Sequence, residues 1–404
     1  MKPVEPRPIE EYALGIFDGP HATPKESSEG AVFLGIKNIT DDGQLDFSEI
    51  RYVSEEELPK WTRRVTPQPG DVVFTYEATL HRYAIVPEGF RGCLGRRVAL
   101  IRPNPKKADS RYLLYYFLSH RWRKIVETYV ITGATVDRIP LEKFPEFPAS
   151  LPNLTVQREI AATLSAYDEL MENNRRRMGL LEDAARLLYR EWFVRLRFPG
   201  HEHTRVVNGI PEGWERGRVS DFYNTASGGT PSRTNPEFFS GEILWVKTQE
   251  LLNGFVTDTE EKITEDALHK SAAKLFPERT VLVAMYGATI GQLGIIASPA
   301  TSNQACCAII PKEPRASFIH SFLFFRENKE KLVGLSMGAA QKNINQQIIR
   351  AFPMLMPGQS LMEMFTESLN SAFDQWLNLL RQNEKLKAAR DLLLPRLMSG
   401  EIAV

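Results

Sequence analysis

The chain writes one unusual segment twice, and this duplication constrains its fold more than any other feature. TYEATLHRYAIV at residues 75–86 and MYGATIGQLGII at residues 285–296 share Tyr, Ala and Thr at the same places. Apolar residues also match at Leu80/Ile290, Ile85/Ile295 and Val86/Ile296, all 210 residues apart. Phe33-Leu34-Gly35-Ile36-Lys37 aligns with Ile243-Leu244-Trp245-Val246-Lys247 at that same offset. Farther on the offset becomes 205, pairing Phe117-Leu118 with Phe322-Leu323 and Gly133-Ala134 with Gly338-Ala339. Ile139 with Ile344 and Phe147-Pro148 with Phe352-Pro353 keep it. One length difference between residues 86 and 117 accounts for the change. A short period would mean a solenoid; a period near half the chain means two copies of a whole domain.

Within each copy, β-branched and aromatic runs read as strands. They are AVFLGIKNI, DVVFTY and RVALIRP, then EILWVKT, TVLVAMY and QACCAIIP. A helix is expected after each set, near 110–128 and 316–332. Gly, Pro, Ser and Thr cluster in DGPHATPKESSEG and ASGGTPSRTNP, which marks long polar loops. The expected class is mixed α/β (α+β), with each copy inside the usual size range of a domain.

A different pattern follows each copy. A four-three spacing runs through Ile160, Leu164, Tyr167, Met171, Asn174, Met178, Leu181, Ala185, Leu188 and Trp192. The second run is Met362, Phe365, Leu369, Ala372, Trp376, Leu379, Asn383, Leu386, Arg390, Leu393 and Leu397. Sustained heptads specify a coiled-coil seam, and about 40 residues at 1.5 Å each give helices of roughly 60 Å. The plainer alternative is two surface helices packed on their own domains. A long apolar stripe needs a partner, however, and each run is the nearest one available to the other. An antiparallel pair with a domain at each end is expected. Asn174 and Asn383 fit polar seam residues that fix register. Arg390 breaks the pattern and is expected near a helix end.

The chain has 404 residues and 43% hydrophobic content, enough for two or three folded domains. Lys plus Arg equals Asp plus Glu at 50 each, so charge does not point to nucleic acid, although a neutral total can hide a basic face. Cys93, Cys306 and Cys307 have no zinc or disulfide spacing and read as buried thiols in a reducing cytosol. Neither a basic-then-apolar leader nor a membrane-length apolar run is found. A cytoplasmic protein without membrane contact is expected.

NPEFF, from Asn235, resembles the amino-group-binding motif of DNA amino-methyltransferases, but Glu237 replaces the second Pro and no Gly-rich cofactor loop follows a strand. No Gly-Lys-Ser/Thr phosphate loop is present. Glu260-x-Lys262 and Glu327-x-Lys329 match part of a nuclease signature without the preceding Pro-Asp. His201 and His203 form the only close histidine pair, in a polar linker with no third ligand. The expectation is a recogniser with no catalytic residues and no metal site.

Several stretches together resemble the specificity subunit of type I restriction-modification systems, over essentially the full length. They are GGTPSRTNPEFFSGEILWVKTQEL, LVAMYGATIGQLGIIASPATSNQACCAII and GAAQKNINQQIIRAFPMLMP. GIPEGWE at 209–215 resembles the usual entry to a target-recognition domain, and LLLPRLMSGEI the usual C-terminal segment. The first copy departs from the pattern by lacking a PEGW-type entry. The resemblance implies two target-recognition domains, each reading half of a split, asymmetric site on double-stranded DNA. It implies helices that hold the domains apart and set the unspecified spacer. It further implies two methyltransferase subunits and motor-nuclease subunits as partners. S-adenosylmethionine, ATP and Mg are then expected on those partners, and no cofactor on this chain. The expected layout is recognition domain 1 at 1–150, a helix at 151–197, a linker at 198–215, recognition domain 2 at 216–357 and a second helix at 358–404. A self-contained methyltransferase or nuclease with duplicated readers, and a structural adaptor with no DNA role, are the competing classes.

Loops on a rigid scaffold carry recognition, so polar residues of the repeated loops are the DNA-contact candidates. In the first domain they are His21, Thr23, Lys25, Lys37, Asn38, Thr79, His81, Arg82, Arg96, Arg97, Thr135 and Arg138. In the second they are Thr230, Ser232, Arg233, Lys247, Gln249, Thr289, Gln292, Asn303, Gln304, Gln341, Lys342 and Asn343. Lys and Arg suit phosphates, while Asn, Gln and His suit base edges. The run Arg175-Arg176-Arg177 is read as a solvated helix face.

Overall fold

The structure, a computed structural model, describes residues 4–25, 27–133, 136–336 and 343–403. Two compact units divide the chain, residues 1–171 with 385–404 and residues 172–384.

The first unit contains strands β1 (Ala13–Asp18), β2 (Ala31–Leu34), β3 (Arg51–Val53), β4 (Val72–Thr75), β5 (Tyr83–Ile85), β6 (Gly92–Leu94) and β7 (Val98–Pro103). Helices α1 (Ser110–Leu118) and α2 (His120–Tyr129) follow. An antiparallel sheet of order β1-β7-β4-β5 packs on a smaller one of order β3-β2-β6, in which β2 and β6 run parallel. All four residues of β4 are buried, because both faces of the strand are covered. Side chains alternate across a strand. Val72 and Phe74 therefore join the helix-side core with Tyr112, Phe117 and Trp122, while Val73 joins Leu34, Leu94 and Leu100 on the other side. Trp122 donates its indole N–H to the Tyr83 hydroxyl at 3.1 Å, which satisfies the polar edge of a fully buried ring. Ser119 ends α1 and caps α2, accepting from the Trp122 backbone N–H. The single helix expected here is thus two.

The second unit repeats this plan with strands β8 (Tyr223–Ser227), β9 (Ile243–Val246), β10 (Gly254–Val256), β11 (Lys262–Ile263), β12 (Val281–Ala284), β13 (Leu293–Ile296), β14 (Thr301–Ser302) and β15 (Cys306–Pro311). The larger sheet has order β8-β15-β12-β13-β10 and the smaller one β11-β9-β14. Val281 and Val283 face the core holding helix α4 (Phe318–Glu327), and Leu282 and Ala284 face Val246. Strand β10 is an added edge with no counterpart among the described residues of the first unit; it pairs parallel to β13.

The strand registers correct the raw repeat. Val72 faces Ile101 and Ile85, and Val281 faces Ile309 and Ile295, so β12 answers to β4. Counting on, Tyr76 is the counterpart of Met285, and Tyr286 that of Glu77. Burial agrees, since Tyr76 is 5% exposed and Met285 1%, whereas Tyr286 is 40% exposed. The loop closing β12 onto β13 has one more residue than the loop closing β4 onto β5, and a 3-10 turn at Gly287–Thr289 takes up the difference. A larger slip affects the other sheet. Phe33 and Leu34 pair with Cys93 and Leu94, while Trp245 and Val246 pair with Thr301 and Ser302. Gly35, not Lys37, is therefore the counterpart of Lys247. Several loop-length differences, rather than one, separate the copies.

Two long helices, α3 (Leu154–Tyr189) and α5 (Gln359–Ser399), each contribute to both units. In the first unit Ile160 and Leu164 of α3 share a core with Leu397 of α5. In the second, Asn174 donates its side-chain amide to Asn383 at 2.9 Å. Past the end of α3, Trp192 stacks obliquely on Phe365 at 5.5 Å. Rising numbers on one helix meet falling numbers on the other, so the pair is antiparallel. Every seam position named from the heptads is buried or half-buried, and Arg175, Arg176 and Arg177 are exposed. Arg390 overturns one expectation, because α5 continues nine residues beyond it to Ser399. It is 8% exposed and donates to Asp168 of α3 at 2.6 Å, and Asp168 also accepts from the Tyr115 hydroxyl at 2.5 Å. The interruption in the apolar pattern is an ion pair across the seam.

Two predictions follow from this packing. Arg390→Ala leaves Asp168 without its cation and should cost about 3 kcal/mol in urea unfolding, whereas joint Arg390→Met, Asp168→Leu and Tyr115→Phe, which removes the guanidinium, carboxylate and hydroxyl together, should be nearly neutral. His320 supplies the second. It is fully buried beside Tyr189, Phe193 and Phe324, with Nδ1 3.0 Å from the Tyr223 hydroxyl. Burial pushes its pKa from 6.5 down to about 3. Below about pH 6.5 the unfolded chain takes up a proton that the folded chain refuses. Stability is full above that pH and should fall by roughly 1.4 kcal/mol per unit as pH drops toward 3. Urea midpoints at pH 7.5 and 5.5 should show this slope reduced in His320→Leu; an identical slope in that variant would assign the effect elsewhere.

Candidate nucleic-acid interface

In the first unit, three loops are tied together at one end of the larger sheet. The Tyr76 N–H donates to the Arg97 carbonyl, Ala78 N–H to Asp137, and Ile139 N–H to Tyr76. These bonds gather Thr79, His81, Arg82, Arg96, Arg97 and Arg138 onto neighbouring turns. Thr79 and Arg82 are half-buried, and the Arg82 guanidinium donates to the Ile39 carbonyl at 3.2 Å. Arg97 lies 3.2 Å from Glu77 and holds a left-handed backbone, φ 70°. His81 is also left-handed, φ 64°, and its buried Nδ1 has no hydrogen-bond partner among the described residues. Burial first, and the charge of Arg123 second, hold its pKa below the ordinary imidazole value. Strain and an unsatisfied polar atom coincide at this loop tip, a combination that is concentrated at functional sites.

The entry loop supplies His21, which meets Asp18 at 3.0 Å and the Tyr76 ring edge-on, with exposed Thr23 and Lys25 beyond it. Lys37 is exposed and 3.7 Å from an equally exposed Glu49. Asn38 is a correction. It is buried, accepts from the Gly35 N–H at 3.0 Å and donates to the Asp46 and Glu49 carbonyls at 2.9 and 3.0 Å. Its amide is consumed in holding the loop, so it is not free to read a base. Thr135, Gln341 and Lys342 lie outside the described residues.

The second unit joins the equivalent loops, with Met285 N–H donating to Ala305 and Ile344 N–H to Met285. Thr289 donates to the Tyr286 carbonyl at 3.2 Å, and Gln292 accepts from Asn253. Asn303 caps its own turn through the Ala305 N–H at 3.1 Å. Exposed Gln304 is bonded to Thr230, and Ser232 to Thr234 at 2.7 Å. Asn343 bridges Tyr286 through its backbone, and its buried Oδ1 has no partner among the described residues. Gln249 is exposed. The two cations behave otherwise than a free phosphate clamp. Arg233 is bidentate to Glu261 at 2.6 and 2.8 Å and stacks over Phe239, while Lys247 pairs with Glu260 at 2.5 Å and lies 3.5 Å from Glu261. The Arg233 hydrogen bonds, with the charge of Lys247, hold Glu261 down at about 2. Sequence reasoning missed Glu261 and Arg51, because the displaced alignment hid that they occupy matching positions.

Nothing in these loops resembles a catalytic constellation, and among the described residues no cluster of His, Cys, Asp and Glu is placed to hold a metal. No helix among them is long and apolar enough to cross a membrane. Two domains of one fold with different loop chemistry, joined to a paired helix, are the arrangement to be matched. The family described as type I restriction modification DNA specificity domain matches at residues 25–182 and again at 211–359. The chain belongs to this family. The MjaIX specificity subunit of a Methanocaldococcus jannaschii type I restriction enzyme is 24% identical, over 88% of this chain and 82% of that one. The HindI specificity subunit of Haemophilus influenzae is 29% identical over 48% of this chain and 42% of its own length. A crystal structure of a type I restriction-modification S subunit from M. genitalium shares the fold, with TM-score 0.56 at 14% identity over 97% of this chain and 95% of that chain. In this family member the second matched region includes both sheets of its domain, and the first includes all of its domain's strands except β1, Ala13–Asp18.

Removal of the Asn38 amide separates its structural part from any contact role. Asn38→Ala should destabilise the first unit by about 2 kcal/mol, since three backbone groups of its loop lose their partner, and should leave DNA sequence preference unchanged. Thermal melting together with binding to two different duplexes checks both halves of the statement.

Proposed function

We propose that this chain is the DNA-reading subunit of a type I restriction-modification complex, and that its two sheet domains read the two halves of a split, asymmetric site. The observation that carries the reading is one fold used twice with unlike loops. His81, Arg82 and Arg96 stand where the second domain has Gly291, Gln292 and Gln304. Different base and phosphate contacts follow from different donors and acceptors. Family membership supports assembly with other restriction-modification subunits and with DNA. Two methyltransferase subunits and motor-nuclease subunits are the partners we propose, carrying S-adenosylmethionine, ATP and Mg. This chain then supplies recognition and no catalysis, in the cytoplasm. A self-contained methyltransferase is not favoured, because NPEFF forms a 3-10 turn in which the half-buried Asn235 side chain accepts from the Glu237 N–H.

The paired helices set the spacer in this reading. Four residues lengthen a helix by about 6 Å, and DNA rises about 3.4 Å per base pair. Inserting four residues into one long helix should therefore move the unspecified spacer by one or two base pairs. Co-expression with a methyltransferase partner and genome-wide mapping of methylated adenines reads both the split site and the shift. An unchanged spacer would count against helices as the ruler, and an undivided methylated sequence would count against two half-site readers.

A further inference from the structure

The corrected register shows a reversal of charge between the duplicated domains. Ala31 faces Val53 and Phe33 faces Arg51; in the other copy Ile243 faces Ile263, and the Trp245 N–H donates to the Glu261 carbonyl. Arg51 and Glu261 therefore occupy the same rung. The Gly95 N–H bonds Leu34 and the Asn303 N–H bonds Val246, so the residues that follow, Arg96 and Gln304, also correspond. Gly35 answers to Lys247 and Asn38 to Glu250, since each pair opens and closes the same 3-10 turn.

In the first domain these positions enclose a groove of about 480 Å³. Phe33, Ile36 and Ile50 line its apolar part, and Lys37, Arg51, Arg96 and Arg97 its cationic part, with Glu49 the single carboxylate. Arg97 is engaged by Glu77 and Lys37 by Glu49. Arg51 and Arg96 are exposed and make no ion pair among the described residues. In the second domain Glu250, Glu260 and Glu261 crowd the same place and hold the backbone or side chains of Lys247 and Arg233. One head offers two free guanidinium groups where the other offers a neutralised network.

An apolar floor beside unpaired guanidinium groups matches the alternation of deoxyribose and phosphate along a DNA strand. Phosphate contact is the common use of exposed arginine at such surfaces. We propose that Arg51 and Arg96 clamp two backbone phosphates in the half-site read by the first domain, a grip the second domain lacks at the equivalent position. The proposal rests on the DNA-reading function above.

The test uses the chain co-purified with its methyltransferase subunits and a duplex carrying the site mapped for the unaltered complex. Joint Arg51→Gln and Arg96→Gln should weaken binding to target and unrelated duplex alike. It should also reduce the slope of log affinity against log salt by about 2, at roughly 0.9 per phosphate lost. The methylated sequence should stay the same, and joint Arg51→Lys and Arg96→Lys should retain the slope. With the unaltered protein, methylphosphonate linkages at successive positions should locate the two phosphates within one half-site, and the Gln variant should lose nothing further when those linkages are neutral. An unchanged slope, additive losses, or a change in the methylated sequence would overturn the clamp. A complex that neither binds nor methylates any specific duplex would instead overturn the DNA reading itself.

Discussion

The apolar seam between the two long helices is the constraint on which the rest depends. Each helix buries part of its stripe against the other and part on its sheet domain, Ile160 and Leu164 joining Tyr112, and Phe373 and Trp376 packing on Phe318 and Phe322. The seam is not uniformly apolar. Asn174 meets Asn383, and Asp168 meets Arg390, each pair hydrogen-bonded across the interface. Slipping one helix by a turn would bury these groups against leucine and alanine, at a cost far above what they contribute when matched. Polar exceptions at fixed points thus exclude alternative registers that apolar residues alone would tolerate.

Each sheet domain then solves a separate problem, which is to hold polar loops on a rigid base. The central strands β4 and β12 are buried on both faces, and their ends carry the turns that bear the candidate contacts. Hydrogen bonds from Tyr76 to Arg97 and from Met285 to Ala305 lock the neighbouring turns to those strand ends. Because the strands and the bonds are common to both copies, the loops can differ without disturbing the frame. Evidence of that freedom is the exchange of arginine for glutamate at one rung and for glutamine at the adjoining turn.

Much of the site was legible only in outline. Arg96, Arg138, Gln304 and Gln249 are candidates named from their polar loops, and all are exposed. Asn38 had the same sequence character, but its amide is spent on three bonds inside its own loop. Arg233 and Lys247 looked like free cations, yet each is tied to a carboxylate distant in sequence. No local pattern announces such pairing, because the acidic partners come from the segment leading into β11, some 13 to 28 residues later.

The sequence by itself determined the duplication, the central strands and the heptad helices, because these rest on local periodicity of apolar residues. It also carried the family signature in its loops. Only the tertiary structure decided the register that relates the copies, the role of Arg390 and the opposition of Arg51 to Glu261. Those depend on which strand rungs and helix turns meet across long separations, and loop insertions of one to three residues shift the meeting points without altering the local pattern.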